Sequence, residues 1–475
     1  MGTIESTGST IVRAKTGRFR RRIALAVVGV LLLLVAGGVG VGMLVTGAGK
    51  AGPQAAAAPS AQLPDLGPAK PLLAALATGA PTPDPAVLKS QLTPLLDAPA
   101  LGTGLSASVL DVATGHVLLD KDAADPGTPA STAKLLTSVA VLTALGPSAT
   151  LTTTVVAGAT PGEVVLVGGG DPTLSRTSPS QTYPGAPTMA ALAGQVRAAV
   201  PAGTPITRVV VDGSLFSGPL TAPGWQPGDA PSSYAAPVTA TSVDGARVSP
   251  GSVGRSGAPG TDAGRALADA LGVPGAAVTL GKAPAGARTL GTVHSAPVER
   301  LVEQALSTSD NMLAEALARQ VAIARGLPAS FEGSARAVLA TLTAAGVDVK
   351  GVSLVDGSGL SRQDRVPAGV LSALIRGAAD GTLKDAAGLL SGLPVAGFDG
   401  TLVDRADSDP KTAPGTVRAK TGTLLGVHAL AGTVVTVDGR LLAFALLADG
   451  SSGSDAAAEG ALDHVASQLA RCGCR

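Results

Sequence analysis

The chain has 475 residues, of which 45% are hydrophobic and only 2% aromatic, and its formal net charge is +1. This length exceeds what one hydrophobic core usually serves, so we expect at least two domains whose cores are built from alanine, valine and leucine. Six basic residues and one acid lie in positions 1–22, which leaves 29 basic against 33 acidic residues beyond them. An acidic remainder offers no basic surface for phosphates, and this argues against nucleic-acid binding.

The basic tail, residues 1–22, directly precedes an uncharged apolar run at 23–46. The run is long enough to cross a bilayer as a helix, whereas a cleaved signal peptide has an apolar region of only ~7–15 residues. We therefore interpret it as a single transmembrane anchor, with cleavage as the alternative. The sequence thus predicts a protein of the cell membrane whose remaining chain is extracytoplasmic. Residues 47–84, rich in alanine and proline, are typical of a disordered linker.

Periodic hydrophobicity begins at residue 85 with a predicted helix. Two strand-like runs follow within 104–122, joined near Gly115, and they predict an antiparallel hairpin. Close to the C-terminus, residues 416–450 contain three more strand-like runs with a turn at Asp438-Gly439, and a closing helix follows. The two ends can share one antiparallel sheet covered by helices drawn from between them, which is an α+β fold.

The cysteines indicate no disulfide scaffold, and the histidines indicate no metal site. The only cysteines are Cys472 and Cys474, so no disulfide framework holds the fold together. The four histidines are far apart and match no metal-binding spacing. We therefore predict neither a metal nor another cofactor.

The first chemical motif lies in "PGTPASTAKLLTSVAVLTALGP", residues 126–147, where helix-start residues precede an apolar helical run. We expect Ser131 to begin a buried helix, on which Lys134 lies beside it because residues three apart share a helix face. A serine becomes a nucleophile only when a base takes its proton, and a lysine can do this when burial or a nearby cation lowers its pKa. The S-x-x-K spacing is weak by itself, since it recurs at 408–411.

Two further motifs follow in chain order. Residues 309–311 read Ser-Asp-Asn and hold the only asparagine of the chain, Asn311. Residues 420–422 read Lys-Thr-Gly in a strand-like segment. The elements S-x-x-K, S-x-N and K-T-G, in this order, are typical of serine acyl-transferases of penicillin-recognising type. An asparagine suits such a site because its amide donates and accepts hydrogen bonds at once.

Longer blocks around the motifs, among them "STAKLLTSVAVLTALG", "STSDNMLAEALARQVA", "DGSGLSRQDRV" and "VRAKTGTL", span about residues 85–470. They resemble the penicillin-binding protein 4 type of D-alanyl-D-alanine carboxypeptidase, peptidase family S13. The resemblance implies a transpeptidase-like or β-lactamase-like catalytic domain, an antiparallel sheet covered by helices, formed by 85–147 and 293–475. It also implies an inserted strand-rich domain, which we place at 148–292.

The resemblance further implies a role for each motif residue. Ser131 attacks the carbonyl of a terminal D-Ala-D-Ala bond while Lys134 takes its proton, and an acyl-enzyme forms. Ser309 relays a proton to the departing D-alanine. Asn311 hydrogen-bonds the substrate's amide and holds Lys134 in place.

The third motif is assigned to electrostatics and substrate binding. Lys420 adds positive potential that keeps the catalytic lysine neutral, and with Thr421 and Thr423 it receives the substrate's terminal carboxylate. Gly422 leaves room for the substrate along the strand edge. The oxyanion is met by the backbone N–H groups of Ser131 and Thr423.

The function implied is that of a serine-type D-Ala-D-Ala carboxypeptidase acting on peptidoglycan stem peptides, with β-lactam antibiotics as covalent inhibitors. A class A β-lactamase needs a second asparagine for deacylation, and a class C enzyme needs a tyrosine where Ser309 stands, so efficient antibiotic hydrolysis is not expected. Two alternatives stay open. One is an endopeptidase that cleaves peptidoglycan cross-links with the same residues, and the other is a catalytically idle wall-binding protein.

Overall fold

The computed structural model of the protein describes residues 79–405 and 414–474. The predicted basic tail, the predicted anchor at 23–46 and nearly all of the predicted linker lie outside these ranges. Of the helices inside them, none is both long and apolar enough to cross a membrane. The anchor therefore stays a prediction.

The two described ranges contain twelve strands and ten α-helices, numbered in chain order. The strands are β1 (Gly104–Asp111), β2 (Val117–Lys121), β3 (Pro126–Gly127), β4 (Thr152–Ala157), β5 (Glu163–Val167), β6 (Arg208–Asp212), β7 (Ala277–Leu280), β8 (Thr289–His294), β9 (Val366–Pro367), β10 (Val417–Leu424), β11 (Val427–Val435) and β12 (Leu441–Asp449). The helices are α1 (Pro85–Leu96), α2 (Lys134–Leu145), α3 (Met189–Ala199), α4 (Pro259–Leu271), α5 (Val298–Ser307), α6 (Asn311–Ala324), α7 (Phe331–Ala344), α8 (Ala368–Asp380), α9 (Gly388–Gly392) and α10 (Asp455–Arg471).

A five-stranded antiparallel sheet joins the two ends of the described chain, which confirms the prediction from hydrophobic alternation. Its strand order is β10-β11-β12-β1-β2. The first strand, β1, lies against the last, β12, with Gly104 opposite Asp449 and Asp111 opposite Leu442. The sheet therefore brings the K-T-G strand, β10, into the same layer as residues more than 300 positions earlier.

Both faces of the sheet are covered. Successive side chains of a strand point to opposite faces, so each strand contributes to two cores. Along β12, Ala443 and Leu447 join the core that α8 covers, whereas Phe444 and Leu446 join the core formed with α1 and α10. The prediction that helices from between the two ends cover the sheet is therefore right for one face. The terminal helices cover the other face.

Helix α2 is the centre of the helical core. Residues 134–142 are all buried, and the helix packs against α5, α6, α7 and α8. A helix that is apolar on all sides is stable only when it is surrounded. The charged side chain at its first position, Lys134, is therefore drawn into the protein interior.

A second sheet lies between β3 and α5 in the chain, with strand order β7-β6-β5-β4-β8. Its β5–β6 and β6–β7 pairs are parallel, and β4 is antiparallel to both of its neighbours. Parallel neighbours need a crossover connection, and α3 and α4 supply the two crossovers. The segment is thus a mixed α/β layer, richer in helix than the sequence predicts. Its limits as a domain, predicted at 148–292, stay a prediction.

Cys472 and Cys474 are joined by a disulfide and are buried in the core beside α1 and α10. A bridge between residues two positions apart ties no distant segments together. A buried ion pair does connect distant segments of the chain. The Arg440 guanidinium donates from Nε and Nη2 to the Asp111 carboxylate at 2.5 and 2.8 Å. This pair links the end of β1 to the residue directly before β12.

Candidate active site

Ser131 lies in a 3-10 turn, residues 130–133, that leads directly into α2. The sequence predicts that the helix begins at Ser131, whereas the α-helix itself begins at Lys134. Ala130, the residue before Ser131, has a φ of +46°, which a regular helix does not allow. Packing holds this strained residue, because a Cβ on the neighbouring Gly359 would lie 1.8 Å from the Ala130 carbonyl oxygen.

Lys134 is 1% exposed and its ammonium donates three hydrogen bonds. The acceptors are Ser131 Oγ at 2.9 Å, Asn311 Oδ1 at 2.6 Å and the Ser358 carbonyl oxygen at 2.8 Å. Three donors match three acceptors. Loss of one proton leaves two donors for Asn311 and Ser358 and a lone pair that faces the Ser131 hydroxyl.

The S-x-N motif begins α6. Asp310 is the N-cap and accepts hydrogen bonds from the backbone N–H groups of Met312 and Leu313. Ser309, with a φ of +55°, turns the chain into the helix and lines the cleft. Asn311 uses both halves of its amide, since Nδ2 donates to the Tyr234 carbonyl oxygen at 3.2 Å. The resemblance assigns the Nδ2 donor to the substrate, whereas in the structure Nδ2 donates to a backbone carbonyl.

Strand β10 carries the third motif past the cleft. Thr421 and Thr423 line the cleft, whereas Lys420 is fully buried and donates to the Thr421 carbonyl oxygen at 2.8 Å. The Thr421 hydroxyl lies 2.9 Å from that of Thr401, and the Thr423 hydroxyl donates to Glu459 at 3.2 Å. The structure thus brings both threonines to the cleft and keeps the lysine behind them.

Gly422 packs against the turn that holds Ser131. A Cβ at this position would lie 2.8 Å from the Pro129 carbonyl oxygen and 3.1 Å from the Ala130 Cβ. The sequence predicts that Gly422 leaves room for a substrate. In the structure the room is used by the chain itself, which lets β10 approach Ser131.

Burial is the main influence on Lys134 and lowers its pKa to about 8. The negative charges of Asp356, Glu315 and Asp310 oppose this and raise the pKa, whereas Arg255 lowers it. The amine can therefore lose a proton near neutral pH. That property is the one a lysine needs to act as a general base.

Lys420 is the second buried lysine of the site. Burial lowers its pKa well below the ordinary value, and the positive charge of Lys134 lowers it further. The resemblance assigns Lys420 the opposite influence, a charge that lowers the pKa of Lys134, and that role stays a prediction. The positive charge that lowers the pKa of Lys134 in the structure is that of Arg255, which the sequence does not predict.

Three residues of the inserted segment hold the S-x-N motif. Asp310 Oδ2 accepts a hydrogen bond from the Tyr183 hydroxyl at 2.7 Å and lies 3.3 Å from Arg255 and 3.7 Å from Arg247. Burial acts to raise the pKa of Asp310, but the two arginines, together with the hydrogen bonds from Tyr183 and from the Leu313 N–H, outweigh it and lower the pKa to about 2. No motif or periodicity in the sequence signals these contacts.

The loop at 356–361, "DGSGLS", forms another wall that sequence reasoning left without a role. Asp356 accepts hydrogen bonds from the backbone N–H groups of Ser358, Gly359 and Ser361 and from Trp225 Nε1. The carboxylate therefore folds the loop around itself and presents the Ser358 carbonyl to the Lys134 ammonium. The sequence signal for this loop is an acidic residue, Asp356, closely followed by two glycines, Gly357 and Gly359.

These elements surround an open cleft of about 760 Å³, a size that suits a small ligand or part of a larger one. Its walls include Ser131, Tyr234, Arg255, Ser309, Asn311, Leu360, Arg362, Thr421, Thr423, Leu425 and Glu459. In the part of the chain that the structure describes, no three His, Cys, Asp or Glu side chains are grouped so that they could hold a metal ion. The arrangement suits acyl transfer to a serine with a lysine as its base.

Comparisons with known proteins agree with this chemistry. A family model described as D-Ala-D-Ala carboxypeptidase 3 (S13) matches residues 88–257 and 252–469. Carboxypeptidase DacB of Mycolicibacterium smegmatis is 42% identical over 468 residues, which cover 96% of this chain and 99% of that protein. A carboxypeptidase of Mycobacterium tuberculosis is 39% identical over 410 residues, covering 84% and 87%. The solved structure of penicillin-binding protein 4 (dacB) from Haemophilus influenzae matches with a TM-score of 0.64, and its sequence is 24% identical. The match covers 78% of this chain and 98% of that chain, which shows a shared fold.

Proposed function

We propose that this chain, which belongs to the D-Ala-D-Ala carboxypeptidase 3 (S13) family, is a serine-type D-Ala-D-Ala carboxypeptidase that acts on peptidoglycan stem peptides. Relatives 42% and 39% identical over most of their length are carboxypeptidases by name, which supports the proposal. The observation that carries it is the 2.9 Å hydrogen bond between the buried Lys134 amine and the Ser131 hydroxyl. A buried lysine with a lowered pKa next to a cleft serine suits proton abstraction.

The proposed reaction has two halves. Neutral Lys134 takes the proton of Ser131 as Oγ bonds to the carbonyl carbon of the terminal peptide, and the oxyanion accepts from the N–H groups of Ser131 and Thr423. The C–N bond then breaks, and the proton reaches the departing D-alanine through Ser309. Water attacks the acyl-enzyme, releases the shortened peptide and restores the serine.

The substrate is held by the strand edge of β10. The hydroxyl groups of Thr421 and Thr423 receive the terminal carboxylate, with the buried Lys420 behind them. The Thr423 hydroxyl must then leave Glu459, which it meets at 3.2 Å without a substrate. Asn311 keeps its oxygen on Lys134 and orients the amine.

The test of the reaction is product analysis with the purified chain. Incubation with a stem pentapeptide should release free D-alanine, and incubation with cross-linked muropeptide dimers should leave them intact. Cleavage of the dimers at a rate equal to or above that for the pentapeptide would favour the endopeptidase alternative, which uses the same residues. A folded chain that cleaves neither substrate would favour an idle wall-binding protein.

The proposal extends to inhibitors and location. A penicillin should acylate Ser131, because the antibiotic presents a reactive amide and a carboxylate to the same groups. We place the catalytic part outside the cytoplasm, held by residues 23–46 as a membrane anchor behind the linker. Fractionation of cells that express the full chain and a chain starting at residue 47 tests this, since only the full chain should sediment with membranes.

A further inference from the structure

Glu315 lies one helical turn after Asn311 on α6 and is fully buried. A buried carboxylate is costly unless it is paired and hydrogen-bonded. Its Oε2 accepts from Arg319 Nη1 at 3.1 Å, and its Oε1 accepts from the backbone N–H of Gly357 at 3.0 Å. Glu315 therefore ties the helix that carries Asn311 to the loop that presents the Ser358 carbonyl.

The loop is also fixed from its other side. The Gly357 carbonyl accepts a hydrogen bond from the Thr137 hydroxyl of α2 at 2.7 Å. A Cβ at Gly357 would lie 2.5 Å from the Ala318 Cβ, so only glycine lets the loop approach α6 this closely. Between these two contacts the Ser358 carbonyl oxygen is held 2.8 Å from Lys134 Nζ.

The ion pair of Glu315 with Arg319 contributes little to the stability of the fold. Arg319 is fully buried, with its guanidinium carbon 4.1 Å from the ring centre of Phe331 and 5.4 Å from that of Phe216. Its Nε and Nη2 have no hydrogen-bond partner among the described residues. A buried ion pair with unsatisfied donors gives little or no net stability compared with an apolar pair, which points to another reason for this acid.

We propose that Glu315 is a positioning residue for acylation: through Gly357 it holds the Ser358 carbonyl against Lys134, and its charge sets the pH range in which Lys134 acts as the base. The inference rests on the proposed function of Ser131 and Lys134. It concerns a residue that touches neither the substrate nor the reacting atoms.

The charges around the two groups give the direction of the pH effect. Burial lowers the pKa of Lys134, and Arg255 acts with it, while Asp356, Glu315 and Asp310 raise the pKa. Removing one of these three negative charges should therefore let the lysine lose its proton at lower pH.

Glu315 itself carries charge in the relevant range. Burial and then Asp356 raise its pKa to about 7, against the opposing charge of Arg319. It is therefore mostly ionised where Lys134, with a pKa of about 8, titrates. The two groups act on each other across neutral pH.

Two variants separate charge from position. Glu315→Gln keeps an oxygen that can accept from Gly357 but removes the charge, so the acid limb of the acylation profile should move to lower pH by roughly one pH unit with little change in the plateau. Glu315→Ala also removes the acceptor, and we expect the plateau rate to fall on the order of 10- to 100-fold. The measurement is the second-order rate constant for acylation by a fluorescent penicillin, followed as a function of pH.

Asp111→Asn is the matched control, because Asp111 is another fully buried acid paired with an arginine, on the central sheet outside the cleft. It should change the melting temperature and leave the acid limb in place. A Glu315→Gln profile that superimposes on the wild-type profile overturns the proposal, and this variant decides alone if Glu315→Ala does not fold. Failure of the wild-type chain to form any adduct would instead refute the function on which the inference rests.

Discussion

Asn311→Asp is the substitution that tests the electrostatics of the site most sharply. It replaces the amide oxygen 2.6 Å from Lys134 Nζ by a carboxylate oxygen without changing the shape of the side chain. It also removes the donor that meets the Tyr234 carbonyl at 3.2 Å and places a negative charge there. The negative charge favours the protonated form of Lys134, so the base should be lost at neutral pH.

The size of the effect follows from the pKa of Lys134, which is about 8. At about pH 7.5, roughly a quarter of the molecules then hold a neutral amine. An opposite charge in contact raises a pKa by ~1–3, and an increase of ~2 reduces the neutral fraction at that pH roughly 75-fold. We expect the rate of acylation to fall by the same factor.

The assay is stopped-flow acylation by a chromogenic cephalosporin across the alkaline range. The wild-type rate should rise with pH and level off above about 8, because the lysine acts in its neutral form. The Asn311→Asp rate should continue to rise where the wild-type rate is level. Gln195→Glu is the control, since Gln195 also donates to and accepts from the backbone, at 2.9 Å each, but lies outside the cleft. An Asn311→Asp rate within a few-fold of wild type, with the same acid limb, would refute the assignment of Asn311.

Three further predictions concern stability and the nucleophile turn. Asp310→Asn should lower the free energy of unfolding at neutral pH by about 2 kcal/mol in urea titrations. Because the pKa of Asp310 is lowered from 3.8 to about 2, the stabilisation by its charge is complete above pH 3.8 and is lost as the pH falls through about 2. A variant that is destabilised equally at neutral pH and below pH 2 would contradict this prediction. Gly422→Ala should slow acylation on the order of 100-fold, since its Cβ would meet the Pro129 carbonyl at 2.8 Å; an unchanged rate would show that the turn yields freely. Gly460→Ala, on α10 with nothing within 4 Å of its Cβ, should raise stability by about 0.5–1 kcal/mol and leave the acylation rate unchanged.

The central sheet could be predicted because its signal is local. Alternating apolar residues over 104–122 and 416–450 identify five strands, and the Asp438-Gly439 turn sets one of the hairpins. The three motifs were also visible, since each is a short pattern in fixed order. The long α2 helix was visible too, but its first residue was not. The positive φ of Ala130 depends on packing against Gly359, more than 200 positions away.

The parts that could not be predicted depend on contacts between distant residues. The ion pair of Arg255 with Asp310 crosses from the inserted segment to the S-x-N motif, and neither residue belongs to a pattern that announces the other. The parallel strand pairs β5–β6 and β6–β7 depend on crossovers that hydrophobic alternation does not specify. No pattern in the sequence indicates that the side chain of Glu315 faces the interior, and only the fold shows it.

The most direct test of the account is intact-mass analysis of the chain after incubation with a penicillin, followed by peptide mapping and repeated with Ser131→Ala. We predict one adduct per molecule on Ser131, and no adduct on a Ser131→Ala variant that melts at the wild-type temperature. An adduct that persists in the variant, or a folded wild-type chain that forms none, would contradict the assignment of Ser131 as the nucleophile.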